Sequence, residues 1–254
     1  MNNQDFKIKD EYFINLDQYF DINEIQYLYS EIARGIVLSK DHIIPVELGR
    51  QDALYDKNHI EPILFIREKF SLTDEYKELL ELGFSRRQIY EYVLFKFPVM
   101  SLGNKLLLRT YENYSSSFNQ KHLSKNNKDR PCYTYFPGLK TWIKNSKVFS
   151  EIGRIIIFIN EKGSYTPTHC DYQNLKSLKD QFIWINLFSK KKFFVYNSNF
   201  EKKYLSGVIN TFDNASWHGS EPADYSCFTI RIDGIFDKKF LKKTNLYEHY
   251  YNKD

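Results

Sequence analysis

The chain has 254 residues, 42% of them hydrophobic and 27% charged, with only 10 Gly and 7 Pro. That is a globular composition with enough length to bury a substantial core, and it excludes collagen-like, linker-like and disordered classes. A net charge of +4 is too weak to imply nucleic acid, and no apolar run approaches the ~18 residues of a membrane span, so neither partner is expected.

The first part of the chain reads mostly helical. Ile22, Ile25, Leu28, Tyr29, Ile32 and Ile36 recur at helical spacing, and Asp21 with Glu24 forms a candidate capping box. Thr73 is placed to cap a second helix through Leu79 and Leu80, which Gly83 stops. Ser85 with Gln88 opens a third, closed by Phe97-Pro98. Asn104 to Tyr111 (NKLLLRTY) reads as a strand, and the polar stretch from Tyr114 to Pro131 as a long exposed loop. Phe136-Pro137-Gly138 signals a turn into a short helix around Trp142.

From Arg154 on, strand signals dominate. RIIIFIN, QFIWINLF, KKFFVYN, GVINTF and CFTIRIDGIF are short β-branched or aromatic runs parted by turn residues. Short strands at this spacing suggest a sandwich or barrel. No repeat or linker interrupts the chain, so it is read as one α+β domain over 1–254. A helical part occupies about 1–150, a β core about 151–236 and a basic C-terminal helix about 237–254. That last helix either dimerises the protein or caps the barrel. Cys132, Cys170 and Cys227 form no C-x-x-C pair, and the N-terminal residues carry no apolar h-region, so a reducing cytoplasm is the expected setting.

The chemistry concentrates in GSYTPTHCDYQN. Residues two apart in a strand face one side, so His169 and Asp171 project an imidazole and a carboxylate together, with Cys170 facing away. These are two of the three ligands of the facial triad that binds Fe(II) in oxygenases. His218, 49 residues downstream of His169 in FDNASWHGSEP, is the candidate third. Thirteen residues further on, FTIRIDG places Thr229, Arg231 and Asp233 on one strand face. A buried Arg231 needs an anion, and a dicarboxylate cosubstrate would supply one. His59-x-Glu61 also fits the pair pattern. It sits beside Pro62 in a helix-leaning segment with no downstream support, and is set aside.

The last hundred or so residues resemble the double-stranded β-helix (jelly-roll, cupin) of Fe(II)- and 2-oxoglutarate-dependent dioxygenases, and more narrowly the Jumonji-C branch that includes asparaginyl hydroxylases. Gly163 to Asp171 is similar to that branch's G-x-x-T-P-x-H-x-D run, QFIWINLFSKKKFFVYN to its lysine-bearing strand pair, and Trp217-His218 to its Trp-His. FDNASWH resembles the FD-x-x-x-x-H of aspartyl β-hydroxylases. The resemblance implies a barrel supported by the N-terminal helices, with Fe(II) held by His169, Asp171 and His218. It implies 2-oxoglutarate as cosubstrate, its far carboxylate held by Thr166 together with Arg231, Lys190 or Lys192. Arg231 is preferred for its inward alternation. The gap filled by YQNLKSLKD is longer than the family's, which shifts the lysine assignment by up to two residues.

The implied reaction consumes O2 and 2-oxoglutarate, releases succinate and CO2, and hydroxylates a C–H bond of a peptide or protein side chain or an amino acid. A small-metabolite hydroxylase is the alternative, and a non-catalytic cupin-type binding barrel the rival from another class. Aspartate at position 171 argues against a halogenase, which leaves that site vacant. Arg109, Tyr165 and Trp217 are the candidate substrate contacts. No G-x-S-x-G elbow, Walker loop or H-E-x-x-H is present, which disfavours a hydrolase.

Overall fold

The computed structural model describes residues 13–46, 74–85, 88, 103–111, 127–166, 181–187, 191–197, 201–212, 214 and 216–246. The first helix, α1 (Ile22–Leu38), starts where the Asp21 carboxylate accepts from the Asn23 and Glu24 N–H groups at 3.0 and 3.4 Å. This cap satisfies two of the donors that every helix start leaves open. α2 (Asp74–Glu81) stops at Gly83, whose φ of +81° suits glycine. There the Gly83 and Phe84 N–H groups return to the Leu80 and Leu79 carbonyls. Thr73, its expected cap, lies outside the described residues. Ser85 and Gln88 exchange hydrogen bonds as a capping box does, with the Gln88 N–H on Ser85 Oγ and the Ser85 N–H on Gln88 Oε1. The helix expected beyond them lies outside the described residues.

The strands form two antiparallel sheets. The larger contains β1 (Phe13–Asn15), β2 (Ile43–Pro45), β3 (Asn104–Tyr111), β4 (Asn127–Asp129), β5 (Phe149–Asn160), β6 (Gln181–Ile185), β9 (Ile209–Phe212) and β11 (Cys227–Phe236). Its order is β1-β9-β6-β11-β5-β3-β2, with β4 also on β3. The smaller sheet, ordered β10-β7-β8, joins β7 (Phe193–Tyr196), β8 (Lys202–Tyr204) and β10 (His218–Ser220). Two further helices are α3 (Pro137–Asn145) and α4 (Lys238–Lys243), the latter within the expected C-terminal helix. The architecture is α+β and mostly antiparallel.

The N-terminal half is more mixed than its helical periodicity predicts. β1, β2, β3 and β4 all precede residue 150 and belong to the large sheet. β1, β2 and β4 span only three residues each, too short for alternation to show. β4 and the 3-10 helix Pro131–Tyr135 also replace the end of the expected 114–131 loop with regular structure.

Strand alternation sorts the core into two layers. Ile155 and Ile157 of β5, Ile183 and Ile185 of β6, and Ile230 and Ile232 of β11 face a layer of α1, α3 and α4. There they meet Ile25, Ile32, Leu139, Trp142 and Leu241. Each such isoleucine contributes about 1.5–3 kcal/mol on burial. The other face looks toward the small sheet, where Phe182, Trp184 and Phe212 pack against Phe193 and Val195. The expected polar residues lie on this inner face.

Candidate functional site

β10 and β7 build one wall of the inner space. His218 stands opposite Val195, and Ser220 opposite Phe193. His218 is buried, with its ring 5.2 Å from that of Phe212 across the gap. Its Nδ1 lies 2.8 Å from the Ser216 carbonyl oxygen. A carbonyl only accepts, so Nδ1 carries the proton and the lone pair of the neutral ring is on Nε2. Metal-binding histidines are commonly oriented by such a hydrogen bond. Trp217 is half-buried, and its carbonyl accepts from the Tyr196 N–H at 2.8 Å.

The chain segment before the H-x-D pair runs beside β10. Thr166 donates its N–H to Ser220 Oγ at 2.8 Å and accepts from the Ser220 N–H at 3.0 Å. Ser164 accepts from the Ala223 N–H, and the Gly163 N–H donates to the Ala223 carbonyl. Between these contacts Tyr165 is half-buried, and burial pushes its phenol pKa up. His169, Asp171 and Lys190 lie outside the described residues. Among the described residues, no group of three or more His, Cys, Asp or Glu is gathered as a metal site.

Of the lysine run, Lys191 and Lys192 are described. Lys192 is exposed, its ammonium 5.9 Å from the Tyr204 ring. Lys191, which is not among the expected anchors, is buried, at 4% exposure. It shares the alternation of Phe193 and Val195, and its Nζ donates to Asn160 Oδ1 at 2.5 Å. Burial lowers its pKa from 10.5 to about 8, against a small opposing pull from Cys227. Parity counted back from Phe193 points to Lys191.

Arg231 is on the inner face as alternation predicts, and it already has a carboxylate. Its Nε donates to Asp233 Oδ1 at 2.7 Å, while the Arg154 Nε donates to Asp233 Oδ2 at 2.8 Å. The Arg231 guanidinium also stacks 4.2 Å from the centroid of Phe182. The anion that a buried Arg231 requires is thus supplied at least in part by its own strand.

Arg109 is on the other side of the large sheet from His218. It lines an outer cleft of about 540 Å³ with Asp129, Tyr133, Lys140, Ile143 and Ile155. Its Nη1 and the Lys140 Nζ each lie 2.6 Å from the Asp129 carboxylate. Partial burial would raise the Asp129 pKa, but hydrogen bonds and charge from Lys140 and Arg109 outweigh it and hold the group below its usual value. The structure therefore does not bring Arg109 to the imidazole.

Several buried polar atoms have no hydrogen-bond partner among the described residues: Asn160 Nδ2, Asn186 Oδ1, Thr229 Oγ1, Trp184 Nε1 and both amide atoms of Asn210. Such atoms are rare in folded proteins and commonly mark a place that something polar fills. Asn160 is the neighbour of Lys191, and the Asn186 Nδ2 donates to the Lys191 carbonyl. A buried cation with orphaned donors and acceptors around it fits a carboxylate, and an imidazole oriented through Nδ1 fits a metal.

No protein-family model matches the chain, and no curated protein matches its sequence. Among solved structures, a 2OG-Fe(II) oxygenase-family oxidoreductase from Burkholderia pseudomallei is 10% identical with a TM-score of 0.36. That match covers 51% of this chain and 66% of the other, just under two thirds. A Pseudomonas putida prolyl-4-hydroxylase is 6% identical with a TM-score of 0.42, covering 88% and 91% of the two chains. A prolyl hydroxylase from Trichoplax adhaerens, in complex with a hypoxia inducible factor peptide fragment, is 10% identical with a TM-score of 0.34, covering 90% and 99%. At these scores the likeness carries no argument about chemistry, and the functional reading rests on this chain's own residues. The solved structures it is similar to are 2OG-Fe(II) oxygenases and prolyl hydroxylases.

Proposed function

We propose that this chain is an Fe(II)- and 2-oxoglutarate-dependent oxygenase that hydroxylates a C–H bond of an amino acid, a peptide side chain or a related small molecule. The two sheets are read as a double-stranded β-helix within one domain of a cytoplasmic protein. His218, His169 and Asp171 would hold the iron, and Lys191, with Thr166, the far carboxylate of 2-oxoglutarate. Lys191 takes this role in place of Arg231, Lys190 or Lys192. The observation that carries the reading is the alternation of β7 and β10: buried His218 stands opposite Val195, and buried Lys191, two residues before β7 begins, shares the alternation of Phe193 and Val195.

Chain connectivity supports the ligand set. Ser220, two residues from His218, holds Thr166 by two hydrogen bonds. His169 follows Thr166 by three positions, a reach of at most about 11 Å. The chain's own groups then divide the work. The Ser216 carbonyl fixes the His218 ring with Nε2 as its ligand atom. Lys191 supplies a charge-assisted hydrogen bond to a carboxylate, which restores its proton affinity. Phe182, Trp184, Phe193 and Phe212 exclude water from the space. With Fe(II) and 2-oxoglutarate bound, the centre would supply oxidation of C–H to C–OH by dioxygen, with release of succinate and CO2.

An anaerobic titration with Fe(II) and then 2-oxoglutarate tests this. A visible charge-transfer band that needs both additions, and that is lost in His218→Ala while the protein stays folded, is the expected result. No band in the folded wild-type protein would overturn the reading and favour a ligand-binding barrel.

A further inference from the structure

The outer cleft takes no part in the reading above, and separate pieces of the fold build it. Register sets Arg109 of β3 opposite Asp129 of β4. Lys140 and Lys144, four apart on α3, share one side of that helix. Glu151, Ile152 and Ile155 come from β5. Three cations thus line the cleft against two carboxylates, and Arg109 and Lys140 share one of these, Asp129. Lys144 makes no ion pair among the described residues, and neither does Glu151. Arg109 uses Nε on the Ile152 carbonyl at 3.4 Å and Nη1 on Asp129, which leaves its Nη2 without a hydrogen bond among the described residues. A second, independent feature is Tyr133. It lines the cleft and is only 4% exposed, with the Lys140 ammonium 5.0 Å from its ring centre. Its hydroxyl makes no hydrogen bond among the described residues. Burial raises its pKa, Asp129 adds to the rise and Arg109 opposes it, so the phenol keeps its proton and stands as a donor. A buried hydroxyl without a partner is rare and marks a place where an acceptor fits. The cleft's volume of about 540 Å³ suits a small molecule.

We infer that the outer cleft is a binding site for a small apolar monocarboxylate, separate from the space between the sheets. Tyr133, Arg109 and Lys144 take the carboxylate, and Ile152 and Ile155 take the hydrocarbon body. Asp129 holds Arg109 and Lys140 in place, and the unpaired Glu151 disfavours a ligand with a second negative charge. The site stands or falls independently of the iron centre.

Naphthoate is the probe, titrated into the metal-free full-length chain and followed by its fluorescence and by the ring resonances of isotope-labelled tyrosine. One saturable site is expected, with the Tyr133 signal shifting on binding. Tyr133→Phe keeps the ring and removes only the hydroxyl, and should weaken binding about tenfold. Lys144→Gln, at an exposed position, should weaken it about threefold, and Glu151→Gln should tighten it by a similar factor. Uncharged naphthalenemethanol should bind about tenfold more weakly than naphthoate. Lys191→Met, on the inner face, should leave the affinity unchanged, which separates this cleft from the space between the sheets. Circular dichroism checks that each variant is folded. No saturable binding to the folded wild-type chain, loss of binding in Lys191→Met, weaker binding in Glu151→Gln, or unchanged affinity in Tyr133→Phe would overturn the inference.

Discussion

The two faces of the large sheet are built from the same three strands and behave oppositely. On β5, β6 and β11 the central residues turned to the helices are isoleucines, and the layer they form is dry and apolar. Residues between them, turned to the small sheet, include Arg154, Asn160, Trp184, Thr229, Arg231 and Asp233. Both faces are buried, but only one satisfies itself. The helical face contributes folding free energy, and the inner face gives some of it back by keeping charges and orphaned hydrogen-bonding groups out of water. A protein keeps such a face when something must bind there.

Substitutions can break this contrast. Ile157→Ala, on the dry face, should destabilise the fold by about 2–5 kcal/mol while leaving the 2-oxoglutarate affinity of the folded fraction unchanged, as denaturation and calorimetry would show. Lys191→Met, on the wet face, should do the reverse. It should lower 2-oxoglutarate affinity by about a hundredfold, the loss of one buried charge-assisted contact. It should also raise stability without cosubstrate by about 1–3 kcal/mol, because a desolvated cation is replaced by an apolar chain. Equal destabilisation by both variants would erase the distinction between the faces.

The pH dependence sharpens it further. The folded pKa of Lys191, about 8, lies below its ordinary 10.5. Its cost to stability is therefore fully present below about pH 8 and is relieved as pH rises from about 8 to 10.5. Carboxylate binding needs the protonated form, so 2-oxoglutarate affinity should fall about tenfold between pH 7 and pH 9. Lys191→Met should flatten that profile. The smallest effect belongs to the outer layer: Asp21→Ala removes the α1 cap and should cost about 1 kcal/mol in denaturant melts, with no change in binding.

What the sequence revealed follows the same division. The isoleucine periodicity of α1, the Asp21 cap and the run CFTIRIDGIF are local signals, and β11 spans that run from Cys227 to Phe236. Alternation also placed Thr229, Arg231 and Asp233 on one face. It did not show that Asp233 would occupy Arg231, because Arg154, the other half of the clamp, is 79 residues away on β5. The burial of Lys191 was hidden for a related reason. Whether Lys191 or its exposed neighbour Lys192 turns inward depends on hairpin register, and register belongs to the assembled sheet. Strands of three residues such as β1, β8 and β10 are stabilised by their partners and carry too few residues to advertise themselves.

β1 closes the edge of the large sheet by pairing Phe13–Asn15 with Asn210–Phe212. The Asp17 carboxylate reinforces the junction, accepting from the Val208 and Ile209 N–H groups at 2.7–3.0 Å across a sequence separation of 191–192 residues. Gly207, at a φ of +75°, makes room for it, since a β-carbon there would strike Asp17 and Asn15. During synthesis at about 5–20 residues per second, β1 would wait roughly 10–40 s for that partner. Until then β9 cannot be covered, and the finished sheet edge is among the last things the ribosome makes possible. Shortening the chain to Asn15 or beyond would leave β9 as an open edge, which invites pairing between molecules.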